Sequence, residues 1–346
     1  MSCIAVALSG GVDSSTTAAL LKREGHEIFG VTMLLCDSEG AKVAIDYAKR
    51  VCNQLDINHH VFDLRKQFKE NVIDYFTESY INGLTPNPCA KCNLKIKFGE
   101  LFNAVTEMGA EILATGHYAR IMQDRSGEFG IYKGVDRNKD QSYFLFGVNR
   151  NILKSIRFPL GEKCKPEVRR LAAEFGLCTA EKKESQDICF VPGGDYKSVL
   201  NCQPNLGDIV DTNGKLVGQH EGLWNYTIGQ RKGLKISNQE PLFVVGMDSD
   251  NNKLVVGEHN ALEYDSFYVS NVNWLADTNC LPEKIEVKTR YAQTPMSAKI
   301  ILNDDRTVVE LISSAFALSP GQCATFYSEE KVLGGGWICG KDNSGG

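Results

Sequence analysis

The stretch Cys3-Ile4-Ala5-Val6-Ala7-Leu8-Ser9-Gly10-Gly11-Val12-Asp13-Ser14-Ser15 decides the fold. Residues 3–8 form an unbroken run of small and branched apolar side chains of strand length, the pattern of a strand buried on both faces. Asp13 and Ser14 offer cap chemistry for a helix that ends near Gly25. Between strand and helix, two glycines permit close backbone approach to an anion. Two hydroxyls donate hydrogen bonds, and the helix N-terminus adds N–H groups and a favourable dipole. Strand, glycine-serine turn and helix in this order make a phosphate cradle; the bland alternative is a serine-glycine cap on an ordinary first helix. It is not a Walker A loop, because no Gly-Lys-Ser/Thr follows at the required spacing, and it lacks Gly-x-Gly-x-x-Gly.

Outward from this stretch the alternation repeats. A strand is expected at 28–33, and a helix at 41–55 with Val43, Ala44, Tyr47, Ala48, Val51 and Leu55 on one face. A strand follows at 59–64, helical segments at 68–82 and 96–108, and a strand at 112–115 just before Gly116-His117. Strands separated by helices imply right-handed crossovers and a doubly wound parallel sheet covered on both faces. After about residue 200 the texture changes to turn pairs such as Asn213-Gly214 and short alternating runs, clearest at 283–291, with further strands expected at 297–302, 307–311, 323–327 and 332–339. The expected organisation is an α/β catalytic unit over 1–204, a small β-rich central unit over 205–268 and a C-terminal β-barrel over 269–346.

Composition bounds the function classes. A chain of 346 residues has room for two or three domains, and 42% hydrophobic with 23% charged residues describes a folded protein. The net charge of −5 excludes a wholly basic nucleic-acid coat, not a local basic stripe. The stretch 139–183, with Lys139, Arg150, Lys163, Lys165, Lys182 and Lys183 among its cations, reads as a phosphate track or, in the bland reading, as a solvated helical face. Met1-Ser2-Cys3-Ile4 shows no basic segment with an apolar core and cleavage site, and no apolar run is of bilayer-spanning length. The expectation is a cytoplasmic protein without membrane attachment, its twelve cysteines reduced.

Two cysteine segments stand out. Thr85-Pro86-Asn87-Pro88-Cys89-Ala90-Lys91-Cys92-Asn93 reads as a proline-braced loop leading into a helix. Exposed thiols there, near a positive helix end with Lys91 and Lys95, are expected to have a lowered pKa suited to nucleophilic or metal-ligand work. Lys182-Lys183-Glu184-Ser185-Gln186-Asp187-Ile188-Cys189-Phe190 places a further thiol beside lysines. A structural zinc site would need a second close pair, which the chain lacks, and a thioredoxin-like motif would sit in a smaller fold. Inert buried thiols remain the bland alternative.

The loop resembles that of the N-type ATP pyrophosphatases. Together with 87–98, 186–190, Ala114-Thr115-Gly116-His117-Tyr118, the segments 139–145 and 222–231, and Arg290-Tyr291, it gives the chain a resemblance to the tRNA-specific 2-thiouridylase family over nearly its whole length. The resemblance implies replacement of the C2 oxygen of the wobble uridine by sulfur, in tRNAs for lysine, glutamate and glutamine, after ATP has adenylated that oxygen. It implies nucleotide contacts from Ala7, Leu8, Ser9, Gly10, Gly11, Val12, Asp13, Ser14, Met33 and Gly116, with Asp13 as the magnesium ligand. It makes Cys189 the persulfide carrier and Cys92 the residue that releases or resolves the sulfur, leaving a Cys92–Cys189 disulfide for a reductant.

Contacts to the target base and the tRNA anticodon stem-loop are implied for Asn87, Pro88, Cys89, His117, Lys139, Asp140, Gln141, Arg290, Tyr291 and Gln322. The implied partners include a persulfide donor, a cysteine desulfurase or a sulfur carrier, with the enzyme acting as a monomer. The sequence departs from the family at Cys89, where many members carry aspartate. This leaves three thiols, Cys89, Cys92 and Cys189, as an alternative ligand set for a 4Fe-4S cluster. An amidotransferase using the same loop and a non-catalytic nucleotide-sensing RNA-binding protein are the rival readings.

Overall fold

A computed structural model describes residues 2–183, 188–236, 240–302 and 306–340. Its first unit is built on β1 (Cys3–Ala7), β2 (Glu27–Leu34), β3 (His59–Asp63) and β4 (Ile112–Ala114). The chain then makes an antiparallel hairpin, β5 (Ala119–Gln123) and β6 (Phe129–Lys133), and returns as β7 (Ile156–Arg157). The sheet order is β3-β2-β1-β4-β7, parallel throughout. Strand order reverses about β1, and the carboxyl ends of β1 and β4 open the crevice where sheets of this kind take ligands.

Alternation within β1 sets the two layers. Ile4 and Val6 pack with Ala18 and Leu21 of α1 (Val12–Arg23) and with Ala48 and Cys52 of α2 (Glu39–Leu55), while Ala5 faces Phe68, Ile96 and Leu101 on the other side. The cap of α1 differs from expectation: Gly11 is the N-cap without a side-chain bond, and Asp13 and Ser14 lie inside the first turn. In α2, Ala48 and Val51 are buried as expected but Val43 is exposed, because the helix starts beyond the carboxyl end of β2 and its first turns overhang the sheet.

The helix expected from residue 96 begins earlier. It is α-helical over Pro88–Cys92, π-helical over Asn93–Leu101 and α-helical again over Phe102–Glu107. Asn87 caps it, its side-chain oxygen accepting from the Ala90 N–H at 3.1 Å, with Pro88 at the first helical position where its missing N–H costs nothing. Cys89 and Cys92 therefore sit on a helix and not on a loop.

The central unit is a four-stranded sheet of β8 (Gly207–Asp211), β9 (Leu216–His220), β10 (Phe243–Asp248) and β11 (Lys253–Gly257). The last unit comprises β12 (Glu263–Trp274), β13 (Ile285–Lys288), β14 (Met296–Leu302), β15 (Thr307–Phe316), β16 (Cys323–Ser328) and β17 (Lys331–Gly340), closed into a six-stranded barrel by the β12–β17 pairing. β12 runs across residue 268, so the first barrel strand begins ahead of the junction drawn from sequence texture. The β5–β6 hairpin joins the edge of β17, and Leu275, Cys323, Tyr327 and Val332 of the barrel share one apolar cluster with Ala5, Phe68 and Tyr143 of the first unit. Among the described residues, no helix is long and apolar enough to cross a membrane.

Candidate active site

The nucleotide loop follows β1 at the switch point. Gly10 has φ +67°, and a Cβ there would overlap the Ala44 backbone of α2, so the turn is pressed against that helix in a conformation glycine alone adopts readily. Ser14 Oγ accepts from the Ser9 N–H at 3.1 Å and donates to the Gly11 carbonyl at 3.2 Å, which folds the loop back on the start of α1. Gly116, after β4, faces this turn so closely that a Cβ would meet Ser14 N at 2.9 Å. Met33 lies half-buried near the end of β2, packed against the core cluster that contains Ala5 and Phe68. Asp13 has the oxygen chemistry that magnesium takes, but Lys165 Nζ stands 2.7 Å from each of its carboxylate oxygens, and the Tyr118 hydroxyl donates to Oδ1 at 2.8 Å. A dication at Asp13 would displace that amine.

The three thiols of interest are mutually coupled. Cys92 is buried, Cys89 and Cys189 retain exposed surface, and Cys189 feels the charges of Cys92, Cys89 and Lys97. The expected lowering of their pKa is overturned. Burial raises all three, Cys189 to about 12, and outweighs the single favourable cation, Lys97. Lys91 is instead drawn over the rings of Tyr75 and Trp337. Lys97 reaches the thiols because the π-helical stretch bonds i to i+5, which stacks residue 97 over residue 92 as an α-helix would stack residue 96. Its amine stands 3.5 Å from His117 Nε2, while His117 Nδ1 is 2.6 Å from Thr115 Oγ1. Burial and the Lys97 charge hold His117 well below its ordinary pKa, so its ring is neutral.

Every cysteine is a free thiol, and among the described residues no group of three or more His, Cys, Asp or Glu side chains could hold a metal ion. As arranged, Cys89, Cys92 and Cys189 do not form a cradle for an iron-sulfur cluster. Residues 184–187, part of the Cys189 segment, lie outside the described residues.

The residues expected at the tRNA divide into two groups. Tyr291 keeps exposed surface, stacks on Phe144 at 4.9 Å and has Lys288 5.7 Å from its ring, with Lys139 adding positive charge nearby. Arg290 is exposed and donates to the Ala317 carbonyl. This aromatic face flanked by cations suits an unstacked base.

The others face inward. Asp140 is buried and accepts from Gly134 N, Ser142 N and Ser142 Oγ. Gln141 accepts from Tyr118 N, and Gln322 donates to the Pro86 carbonyl at 3.3 Å. With Thr85 N donating to Pro320 O at 2.8 Å, the barrel loop grips the segment ahead of Asn87 and Pro88, both buried.

The basic stretch 139–183 is not one track. Arg150 pairs with Glu128, Lys163 with Glu167 and Arg170 with Glu174, while Lys165 and Lys182 turn to the nucleotide loop, Lys182 Nζ donating to the Gly10 carbonyl at 2.8 Å. Sequence reasoning missed Lys97, Lys165 and Lys182 at the site. The Cys92-to-Lys97 spacing carries no signal unless the helix is known to widen. For Lys165 the cue was a lysine opening a helix, where cations are disfavoured; Lys182 lies outside any helix and local sequence gives no such cue.

Family models match in chain order: a tRNA methyl transferase HUP domain over residues 2–193, a tRNA methyl transferase PRC-barrel domain over 199–258 and an aminomethyltransferase beta-barrel domain over 264–338. Solved structures with a partial likeness include the U34-tRNA thiolase NcsA of Methanococcus maripaludis with its [4Fe-4S] cluster, with TM-score 0.36, 20% identity and coverage of 51% of this chain and 58% of that one. Another is a 4-thiouridine synthetase in complex with RNA and ATP, with TM-score 0.38, 19% identity and coverage of 55% and 45%. The tRNA-specific 2-thiouridylase MnmA of Rickettsia prowazekii is 47% identical over 354 aligned residues, covering 98% of this chain and 99% of that protein. The Rickettsia typhi protein of the same name matches equally well. With this identity sustained from the nucleotide loop to the barrel, the chain belongs to the tRNA-specific 2-thiouridylase family.

Proposed function

We propose that this chain catalyses ATP-dependent 2-thiolation of the wobble uridine in tRNAs for lysine, glutamate and glutamine. One observation carries the reading: Gly116 abuts the nucleotide loop, and the next residue, His117, contacts Lys97, whose charge reaches Cys92 and Cys189. Nucleotide activation and sulfur chemistry thus meet across one dipeptide.

The C2 carbonyl of uridine has no leaving group. Transfer of AMP to its oxygen, with loss of pyrophosphate, converts that oxygen into part of a phosphate leaving group, and the loop from Ala7 to Ser14 holds the triphosphate during this step. Asp13 is the residue that would hold magnesium, which would screen the phosphate charge. The terminal sulfur of a Cys189 persulfide then attacks C2 and AMP departs. Cys92 attacks the Cys189 sulfur, the S–S bond breaks, the 2-thiocarbonyl leaves, and a Cys92–Cys189 disulfide remains for a two-electron reductant. Tyr291 and Arg290 support anticodon-loop binding. The persulfide comes from a cysteine desulfurase or sulfur carrier, and the enzyme works as a cytoplasmic monomer.

The test is mass analysis of the wobble uridine after incubation of the protein with unmodified tRNA, ATP, magnesium and a persulfide donor, a cysteine desulfurase supplied with cysteine. A gain of sulfur in place of oxygen is expected, lost in Cys92→Ala and in Cys189→Ala while tRNA binding persists. Thiolation that survives Cys189→Ala removes the persulfide role, and a nitrogen product would make the protein an amidotransferase.

A further inference from the structure

The Cys-x-x-Cys pair at the head of the active-site helix is only half used by the proposed reaction. Cys92 resolves the sulfur, whereas Cys89, standing where many members of the family carry aspartate, has no step. Both lie in the α-helical turn Pro88–Cys92, which Asn87 caps and Pro88 opens, before the helix widens at Asn93. A separation of three residues in an α-helical turn puts their Cα atoms about 5 Å apart, inside the span that a disulfide bridges. Cys89 is exposed and Cys92 buried, so the outer thiol is the one a reagent meets.

Cys189 reaches this pair from a separate segment. Phe190 anchors that segment, packing edge-on against Phe68 at 5.6 Å and Phe76 at 5.2 Å, and the Cys189 thiol feels the charges of both Cys92 and Cys89. Lys97 favours the thiolate at all three cysteines, so negative charge can pass from one sulfur to another within the field of a single cation. Two more thiols couple to the group, Cys36 to Cys189 and Cys323 to Cys89. Cys323 is fully buried in the barrel and Cys36 belongs to the loop after β2, so neither shares the helical turn that pairs Cys89 with Cys92.

We propose that Cys89 is a second resolving thiol, which takes over the Cys92 sulfur after each thiolation. The Cys89 thiolate attacks Cys92 Sγ in the Cys92–Cys189 disulfide. The Cys89–Cys92 bond forms, the Cys92–Cys189 bond breaks, and its electron pair leaves on Cys189. Cys189 takes up the proton that Cys89 gave, the form that burial favours there. The exchange is redox-neutral, and a dithiol reductant then supplies two electrons and two protons to the Cys89–Cys92 disulfide. Cys189 is thereby free to accept new persulfide sulfur before the enzyme is reduced. The step rests on the proposed thiolation, which makes the Cys92–Cys189 disulfide; the pairing of Cys89 with Cys92 does not.

Disulfide mapping tests the assignment. The full-length protein is incubated with unmodified tRNA, ATP, magnesium and a persulfide donor without added reductant, quenched in acid, blocked with N-ethylmaleimide and mapped by mass spectrometry. The spent wild-type enzyme should hold the Cys89–Cys92 bond in about tenfold excess over Cys92–Cys189, with Cys189 alkylated, while Cys89→Ser should be trapped with the Cys92–Cys189 bond. As much Cys92–Cys189 as Cys89–Cys92 in the wild type, or more, would overturn the proposal. In mixtures of oxidised and reduced dithiothreitol without tRNA, Cys89–Cys92 should again be the disulfide that forms, and its absence at every ratio would overturn the proposal as well. Wild-type protein that leaves the uridine oxygen in place sinks the proposed function, and the dithiothreitol arm still decides whether Cys89 takes the Cys92 sulfur.

Discussion

Cys189 combines an exposed position with a thiol pushed up to about 12, a pairing that makes it accessible while keeping it mostly protonated at neutral pH. Its alkylation by iodoacetamide is expected to accelerate about tenfold per pH unit between about pH 8 and 10, and Lys97→Met should slow it further by withdrawing the one cation that favours the thiolate. A plateau near pH 8 would contradict this. A persulfide is more acidic than a thiol, so loading sulfur onto Cys189 itself supplies the anion that burial denies the parent residue. Gly116→Ala should weaken ATP-analogue binding by about tenfold and spare tRNA binding, since the added methyl meets Ser14 N at 2.9 Å and displaces the loop. Ser9 to Ser14 were legible as a tight turn between strand and helix from residue type and spacing. What could not be read was sign: a lysine beside a cysteine in sequence promises a lowered pKa, but Lys91 leaves for an aromatic stack and burial decides the outcome.

At the level of elements, the strands and helices of the first unit were legible because apolar period and glycine placement agree there. The exceptions have different causes. The β5–β6 hairpin lies inside an α/β pattern yet pairs with the barrel, a long-range choice that no local period records. The early start of the helix at Pro88 was present in the Asn-Pro pair, a helix-start signal that a loop reading overrode. Glu330 shows what the hairpin contributes: it pairs with Arg120 and Arg137, and the Arg120 side chain is only 13% exposed. Glu330→Ala should cost about 1–2 kcal/mol, through a guanidinium left with fewer partners. Thermal unfolding would register this as a drop of a few degrees, and an unchanged midpoint would show that Glu162 suffices for Arg120.

Across the whole molecule, three histidines, His59, His117 and His220, have pKa values lowered by burial. Each binds a proton more readily unfolded than folded, so each favours unfolding as pH falls through the unfolded value of about 6.5 toward the folded one. The shifted carboxylates Asp63, Asp124, Asp248 and Glu283 are lowered and titrate further down, leaving the window from about pH 6.5 to 5 to the histidines. Melting temperature should fall across that window, and His117→Gln should flatten the fall; a flat wild-type profile would contradict the assignment. The three-part organisation was legible from texture, but the seam between first and last parts was not, because Cys323, Tyr327 and Val332 complete a core begun by Ala5 and Phe68. That seam forbids a minimal enzyme. Excising the barrel would bare Tyr143 and Phe146 to water, release the grip of Pro320 and Gln322 on the residues before Cys89, and leave a fragment that keeps Cys89, Cys92 and Cys189 while losing the frame that aims them.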